Sequence, residues 1–208
     1  MRVSAGGVLQ YIIATASWIG VVRIVAIFGS SVIAGYTIAV RIILFSLLPS
    51  WGIANAAATL VGQNLGAKNS DRAEKAVWKI ALVNMIFLGI VSITFIIFPE
   101  FLTRIFTNDL SIIPSAKDCL RFIGYGYALM AYGMVIIHAF NGAGDTYTPS
   151  VINLCCYWLF QIPLAYLLAI PVGFNARGVF MAITIAESML AVVAILVFRR
   201  GAWKHRKI

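Results

Sequence analysis

Charged residues are scarce in this sequence. Only 11% of the 208 residues are charged and seven are acidic, whereas 62% are hydrophobic. A soluble globular domain carries about 25% charged residues, so the composition excludes that class. The apolar residues also fall in uninterrupted runs of roughly 18 or more, the length needed to cross a bilayer. We therefore predict an integral membrane protein.

Cysteine is scarce as well, and its spacing excludes the usual metal sites. The three cysteines are Cys119, Cys155 and Cys156, with no C-x-x-C pair among them. Zinc sites and redox motifs need such paired spacings. We expect packing thiols, no metal, no cofactor and no covalent chemistry, so the sequence does not predict an enzyme.

Six apolar runs are long enough to span a membrane. Backbone groups inside lipid must be paired internally, which allows only helices or closed barrels, and the runs lack the alternation of barrel strands. The sequence thus predicts an all-α, polytopic, six-transmembrane-helix bundle, with Pro49 as a kink site in the second run. The predicted spans are 7–28, 32–60, 80–98, 119–140, 151–171 and 178–198.

Lysine and arginine are distributed unevenly between the two sides of this predicted bundle. One side holds ten of them, including those at both chain ends, and the other holds four. Positive charge accumulates on the cytoplasmic side, so we predict cytoplasmic termini, in a bacterial inner membrane. We predict that residues 1–198 form a six-helix transmembrane lobe and that residues 199–208 form a basic cytoplasmic tail. This charge pattern accounts for the net charge of +9. We therefore expect the lipid bilayer as a partner and no binding of nucleic acid.

A glycine-rich stretch, "AFNGAGDTYTPS" at 139–150, separates the fourth and fifth runs. A phosphate loop would need a preceding strand and a Gly-Lys-Ser/Thr ending, and an EF-hand would need several spaced carboxylates. Neither pattern is present. We predict a turn, in which Thr146 or Thr148 caps the next helix and Pro149 lies in its first turn; Asp145 remains a candidate cap or latch.

Two loop patterns resemble those of the multidrug and toxic compound extrusion (MATE) transporters. The first is a GQ-x-x-GA pattern that ends the second run, and the second is a G-x-GDT-x-x-P pattern about eighty residues later. The residues that match are Gly62, Gln63, Gly66 and Ala67, then Gly142, Gly144, Asp145, Thr146 and Pro149. The resemblance covers essentially the whole chain.

This resemblance implies that the chain supplies one lobe of a larger transporter. Family members have twelve spans in two six-helix lobes, and this chain is similar to the second lobe. We therefore expect a missing N-terminal six-helix lobe or a second chain as partner, with a fragment or truncation favoured. Some members carry coupling carboxylates in the seventh and tenth spans. The corresponding runs, 7–28 and 119–140, contain no acid, so the main coupling acid is expected in the absent lobe.

Polar and aromatic residues within the runs are candidates for a substrate cavity, because polar groups at membrane depth are costly. Aromatic and Met side chains suit flat lipophilic cations, although they serve equally well as helix packing. The candidates are Asn55, Met130, Tyr132, Met134, Asn153, Tyr157 and Gln161. Asn55 belongs to a row of residues on one face of the second run, and this face either lines a cavity or packs against another helix. The row consists of Thr37, Arg41, Phe45, Leu48, Gly52, Asn55, Thr59 and Gln63.

Glu187 is the only acid deep in any predicted span. It is either a site for ion coupling or one half of a buried ion pair, and the sequence leaves both open. His138 lies close to the predicted cytoplasmic surface, so we expect no special functional role for it.

The function implied by the resemblance is antiport of amphipathic, often cationic drugs or toxic compounds against Na⁺ or H⁺. The related flippases of lipid-linked oligosaccharides are an alternative, and they would favour an Arg-rich cavity for phosphates; only Arg23 and Arg41 qualify. An inactive truncated membrane remnant is the alternative outside transport.

Overall fold

A computed structural model describes residues 2–205, and side chains between 7 and 204. Eight α-helices are described: α1 Arg2–Ala26, α2 Ser30–Gly66, α3 Ser70–Ile97, α4 Pro99–Arg104, α5 Ile113–Gly142, α6 Tyr147–Asn153, α7 Ile162–Ala169 and α8 Asn175–Arg199. A π-helical segment, Leu154–Gln161, joins α6 to α7, and a 3₁₀ turn, Ala202–His205, follows α8. The described residues contain no strand.

Six helical stretches of this part of the chain are long and apolar enough to cross a membrane. They are Gly7–Ala26, Ser30–Gly66, Ser70–Ile97, Ile113–Gly142, Tyr147–Ala169 and Asn175–Arg199. The predicted all-α fold with six membrane-spanning helices is therefore confirmed. The observed helices are mostly longer than the predicted runs because helices continue beyond the apolar residues into their polar ends.

Three helices, α2, α5 and α8, run side by side in the same direction. The Tyr127 hydroxyl donates to the Ile43 carbonyl at 3.2 Å, and Ser50 Oγ donates to Met134 Sδ at 3.5 Å, which fixes α5 against α2. On the other flank of α5, Thr184 Oγ1 donates to the Phe122 carbonyl at 2.7 Å. The helix α5 is thus the centre of the bundle.

The helix α3 packs antiparallel on a further face of α5. Asn84, which is fully buried, donates from Nδ2 to the Ala131 carbonyl at 2.9 Å, and Ser92 donates to the Gly124 carbonyl. Such interhelical bonds contribute about 0.6 kcal/mol each on average in membranes. They nevertheless fix the register between two helices whose surfaces are otherwise uniformly apolar.

The helix α2 is continuous over 37 residues despite Pro49 in its interior. At about 1.5 Å per residue it is roughly 55 Å long, which exceeds the roughly 30 Å hydrocarbon core. It ends at Gly66, and Asn69 then caps α3 by accepting the Arg72 amide at 3.3 Å.

The fifth span is not a regular α-helix, which the sequence did not predict. Its middle part, Leu154–Gln161, is π-helical, and Pro163 follows in the first turn of α7. Proline has no N–H to donate and its ring crowds the carbonyl four residues earlier, which favours the wider winding before it. Hydropathy is the same for both helix types, so the run predicted only a span.

A short helix lies between α3 and α5. This helix, α4, carries Glu100, whose carboxylate pairs with Lys117 at 2.6 Å and with Arg104 at 2.9 Å. The Lys117 ammonium, followed by the Arg104 guanidinium, lowers the pKa of Glu100 to about 2. The pairs are exposed, so they set local geometry more than stability.

The chain end folds back onto α3. Gly201 adopts a φ of 73°, and Trp203 is then 1% exposed, stacked on Phe198 with ring centroids 4.6 Å apart. Lys204 Nζ lies 2.6 Å from Glu74 and 3.4 Å from Asp71. The described part of the predicted basic tail is therefore packed on the protein; Arg206 and Lys207 lie outside the described residues.

Candidate functional site

One cavity, called here the main cavity, has a volume of about 560 Å³, within the range of small-molecule sites. It lies between α1, α2, α5, the fifth span and α8. Its lining residues are Gly7, Gln10, Tyr11, Ala14, Leu47, Trp51, Asn55, Met130, Met134, Ile137, His138, Asn141, Asn153, Tyr157, Glu187 and Leu190. It combines aromatic rings, two thioethers, several amides and a single carboxylate.

The carboxylate of this cavity belongs to Glu187, at the midpoint of α8. The Tyr157 hydroxyl, from the π-helical segment, donates to Glu187 Oε1 at 3.2 Å. Among the side chains described between 7 and 204, no Lys, Arg or His forms an ion pair with Glu187. The carboxylate is therefore held by a neutral donor.

Two smaller cavities also reach Glu187. The second cavity, about 180 Å³, extends towards Trp18 and Val21 of α1. The third cavity, about 100 Å³, extends between α2, α5 and α8. Tyr36 lines both of them, and Trp18 Nε1 donates to its hydroxyl at 3.0 Å. All three cavities meet at one carboxylate.

The main cavity and the two smaller ones lie in opposite halves of the bundle. Main-cavity residues on α2 and α5 extend from mid-helix towards the C-terminal ends of those helices, to Asn55 and Asn141. This end carries Lys68, Arg72 and the terminal turn and is called the basic end. Tyr36 and Ile123, by contrast, lie in the first halves of α2 and α5, towards the opposite end. Glu187 thus lies between the two halves.

Five of the seven predicted substrate residues line the main cavity: Asn55, Met130, Met134, Asn153 and Tyr157. The other two do not. Tyr132 stacks on Trp78 with centroids 6.0 Å apart, because it lies on the α3-facing side of α5. Gln161 lines the second cavity instead, since the π-helical segment carries it to the far side of Tyr157.

Five further polar or aromatic residues line the main cavity and were not predicted from the sequence: Gln10, Tyr11, Trp51, His138 and Asn141. On α5, His138 and Asn141 continue the face of Met130 and Met134 at helical spacing, and that spacing was a usable signal. The His138 ring nitrogen Nδ1 is 2.9 Å from the Met134 carbonyl. No comparable signal existed on α1, whose approach to α2 depends on tertiary packing.

The predicted row on α2 is exposed in its entirety. All eight residues of the row lie on the surface of the lobe; Phe45 is 67% exposed and Leu48 58%. Asn55 joins this row to the main cavity. Within the described chain, the row is therefore an open face rather than a packing face.

The motif glycines explain the crossing of α2 and α5. A Cβ on Gly142 would lie 2.6 Å from the Cα of Ala58, and one on Gly62 would lie 3.4 Å from the Gly142 carbonyl oxygen. Small residues permit such close backbone approach between membrane helices. Gly66, in contrast, has open space around it, and Gln63 is exposed.

The remainder of the second motif builds the turn between α5 and α6. Gly144 has a φ of 73°, a conformation that favours glycine. The Asp145 carboxylate accepts the Thr148 amide at 3.2 Å and the Thr148 hydroxyl at 2.7 Å. Pro149, in the first turn of α6, is buried. The cap is thus supplied by Asp145 rather than by Thr146 or Thr148.

Six apolar spans, five of which surround a cavity of solute size, define a multi-pass membrane protein. The MatE family profile matches residues 8–167, more than half of the chain. The chain therefore belongs to the MatE family.

Several curated relatives share this similarity. The "Probable multidrug resistance protein NorM" of Thermotoga maritima is 27% identical over 186 residues, which cover 89% of this chain and 40% of that protein. The "Uncharacterized transporter YisQ" of Bacillus subtilis is 28% identical over 203 residues, covering 98% of this chain and 43% of that protein. The chain spans less than half the length of these relatives.

Solved structures share the fold. The chain matches "MATE transporter ClbM in complex with Rb+" with a TM-score of 0.90 and 20% identity, covering 98% of this chain and 48% of that one. It also matches a "multidrug resistance MATE family transporter of the MOP superfamily" in an outward-facing conformation, with a TM-score of 0.88 and 21% identity, over 96% of this chain and 46% of the other.

Proposed function

We propose that this chain is one lobe of a secondary active antiporter. It exports amphipathic, often cationic drugs or toxic compounds in exchange for Na⁺ or H⁺, without covalent chemistry. The observation that carries the proposal is the main cavity, where one carboxylate lies among aromatic and thioether side chains. The relatives, which include probable multidrug resistance proteins, support the same activity.

The chemistry of the main cavity suits a flat organic cation. Tyr11, Trp51 and Tyr157 line it with aromatic rings, whose faces attract cations. Met130 and Met134 are flexible and polarisable, which accommodates ligands of different shape. Glu187 supplies the one negative charge that an organic cation needs as counter-ion. Such a cavity discriminates by charge and lipophilicity rather than by a fixed hydrogen-bond pattern.

The substrate route requires a partner for the open face of α2. The row from Thr37 to Gln63 is exposed and contains polar groups at membrane depth, which are costly against lipid. A second six-helix lobe, whether from an N-terminal half or from another chain, would cover this row and close the main cavity. The matched relatives, more than twice as long, supply the length for such a lobe.

A flippase for phosphate-bearing lipids is supported less well. That function favours arginines in the cavity, yet Arg23 and Arg41 are exposed and line none of the three cavities. Glu187 would repel phosphate.

Gradient-driven transport of ethidium tests this proposal. The purified chain is reconstituted in proteoliposomes, and ethidium movement is followed by fluorescence under an imposed proton gradient, an imposed Na⁺ gradient, or neither. We expect movement under one of the two gradients and none without, carried by assemblies in which a second copy of the chain covers the open face of α2. Folded protein that moves no ethidium under either gradient would contradict antiport by this chain and favour the inactive remnant.

A variant pair sharpens this transport measurement. Tyr11→Ala and Trp51→Ala each remove an aromatic wall of the main cavity, so each should raise the ethidium concentration needed for half-maximal transport about tenfold, which corresponds to about 1.4 kcal/mol. Tyr166→Ala is the matched control, because Tyr166 is 53% exposed and lines none of the three cavities.

A further inference from the structure

We propose that Glu187 is a proton-binding site within this lobe, open in turn to both halves of the membrane, and that Tyr157 is its positioning residue. The inference rests on the proposed antiport, for which it names the coupling ion and the residue that carries it. The carrier is then in this chain, on α8, rather than in the absent lobe.

The depth of Glu187 is the first observation. It lies at the midpoint of α8, so about 18 Å of helix separates it from either end. An ionised carboxylate at this depth is costly, and binding a proton removes the charge. Binding of a proton at this position therefore removes the cost of keeping a charged carboxylate inside the membrane.

Access from both halves is the second observation. The main cavity leads from Glu187 towards the basic end, and the second and third cavities lead from it towards the opposite end. A cavity needs only about 15 Å³ to admit a water molecule, so all three, of about 560, 180 and 100 Å³, have room for water. No other acidic residue lines any of them.

The surroundings of Glu187 fit a proton better than an alkali cation. A metal cation in a protein is held by several oxygen ligands, whereas a proton needs one acceptor. The direct partner of Glu187 is a single hydroxyl, that of Tyr157. Among described residues, no group of three or more His, Cys, Asp or Glu could hold a metal ion.

Apart from Tyr157, the titratable groups that line the three cavities or lie beside Glu187 are two tyrosines, a histidine and a cysteine. They are Tyr11 on α1, Tyr36 on α2, His138 on α5 and Cys156 on the π-helical segment. Of these, His138 lies two helical turns closer to the basic end than Met130, the α5 neighbour of Glu187 in the third cavity. Among the side chains described between 7 and 204, no Lys or Arg lines the three cavities.

The transfer step is a simple acid–base exchange. Hydronium in one half of the lobe gives its proton to a Glu187 carboxylate oxygen, which forms one O–H bond and leaves water. The carboxylic acid later returns the proton to water in the other half and regains its charge. An organic cation in the main cavity competes with this proton for the same carboxylate, and that competition is the basis of exchange.

Tyr157 orients the carboxylate for this step. Its hydroxyl donates to Oε1, so the lone pairs of the other oxygen remain available to the cavities. Tyr157 itself lines both the main and the second cavity. It occupies the π-helical segment, where the wider winding sets the direction of its side chain.

Labelling with dicyclohexylcarbodiimide tests the site without transport, because the reagent reacts with protonated carboxyl groups in apolar surroundings. The reconstituted full chain is labelled at a series of pH values, and adducts are located by peptide mass spectrometry. We expect an adduct on Glu187 that falls about tenfold per pH unit above its midpoint, and that ethidium diminishes. Labelling that is absent at every pH, or independent of pH, would overturn the proposal.

Conservative variants distinguish a proton site from a structural carboxylate. Glu187→Gln should lose the adduct, whereas Glu187→Asp should keep a pH-dependent adduct with a shifted midpoint. Tyr157→Phe should also shift the midpoint, and the control Tyr166→Phe should not. An unchanged midpoint in Tyr157→Phe would overturn the positioning role. Gel filtration confirms that each variant is folded before it is labelled.

The two proposals fail in different ways. If wild-type protein labels with pH dependence but moves no ethidium, the proton site stands and the transport function fails. If ethidium transport is driven by a gradient and Glu187→Gln retains it in full, the transport function stands and the proton site is overturned.

Discussion

At the scale of single residues, Gly142 controls how closely α2 and α5 approach. A Cβ at this position would lie 2.6 Å from Ala58 Cα, so the Gly142→Ala variant must push the two helices apart. We expect it to lower the free energy of unfolding by about 1–3 kcal/mol, as overpacking does. Thermal unfolding in detergent, followed by circular dichroism, measures the effect.

Gly66 provides the matched control for this substitution. It belongs to the same predicted motif pair, lies in α2 and has no atoms within 4 Å of an added Cβ. Gly66→Ala should leave stability unchanged or raise it slightly, since alanine is the better helix former. Equal losses from both alanine variants would contradict the role of the crossing.

The sequence patterns identified some site residues and missed others for a common physical reason. Helical spacing places residues on a face, which is how Met130 and Met134 were found together. Helical spacing does not say which neighbouring helix or cavity that face contacts. Tyr132 lies on α5 as Met130 and Met134 do, yet it packs on Trp78. His138 was set aside because of its position near a loop, although it lines the main cavity. Which helix covers which face depends on tertiary packing.

At the scale of elements, the terminal turn Ala202–His205 stabilises the pairing of α8 with α3. Trp203 is 1% exposed and its indole donates to the Phe198 carbonyl at 3.0 Å. Trp203→Ala should therefore lower the free energy of unfolding by about 3 kcal/mol. Thermal unfolding in detergent again gives the measurement.

The ion pairs of Lys204 allow the contribution of charge to the stability of this turn to be compared with that of Trp203 packing. Lys204 bridges Asp71 and Glu74, and the Glu74 carboxylate raises the pKa of Lys204. Pairs at a surface contribute about 0–1 kcal/mol, so Lys204→Met should cost far less than Trp203→Ala. A larger loss in Lys204→Met would show that charge, not packing, holds the turn.

The elements themselves were largely predictable, because span length and apolar composition are local properties. Six runs predicted six spans, and each has its counterpart in the structure. Two features were not predicted. The π-helical winding of Leu154–Gln161 leaves no trace in hydropathy, and the packing of Trp203 on Phe198 depends on the turn that the chain makes at Gly201.

At the scale of the whole molecule, the charge asymmetry predicts how the bundle lies in its membrane. We expect the basic end, with both termini, to face the cytoplasm of a bacterial cell. Green fluorescent protein fused after Ile208 should fluoresce, and alkaline phosphatase fused there should be inactive. Phosphatase fused after Val172, in the connection between α7 and α8, should be active. The reverse pattern at both fusion points would contradict the predicted orientation.

The glycine contacts along α5 have a mechanical consequence. Gly126 and Gly133 leave no room for a Cβ against Thr184 and Ala191 of α8, and Gly142 leaves none against α2. If α5 slid by one helical turn, side chains as large as Leu129 or Ile137 would have to enter spaces that exclude a methyl group. We therefore expect little sliding between these three helices. Changes in the width of the main cavity would then come from movements of α1 and the fifth span.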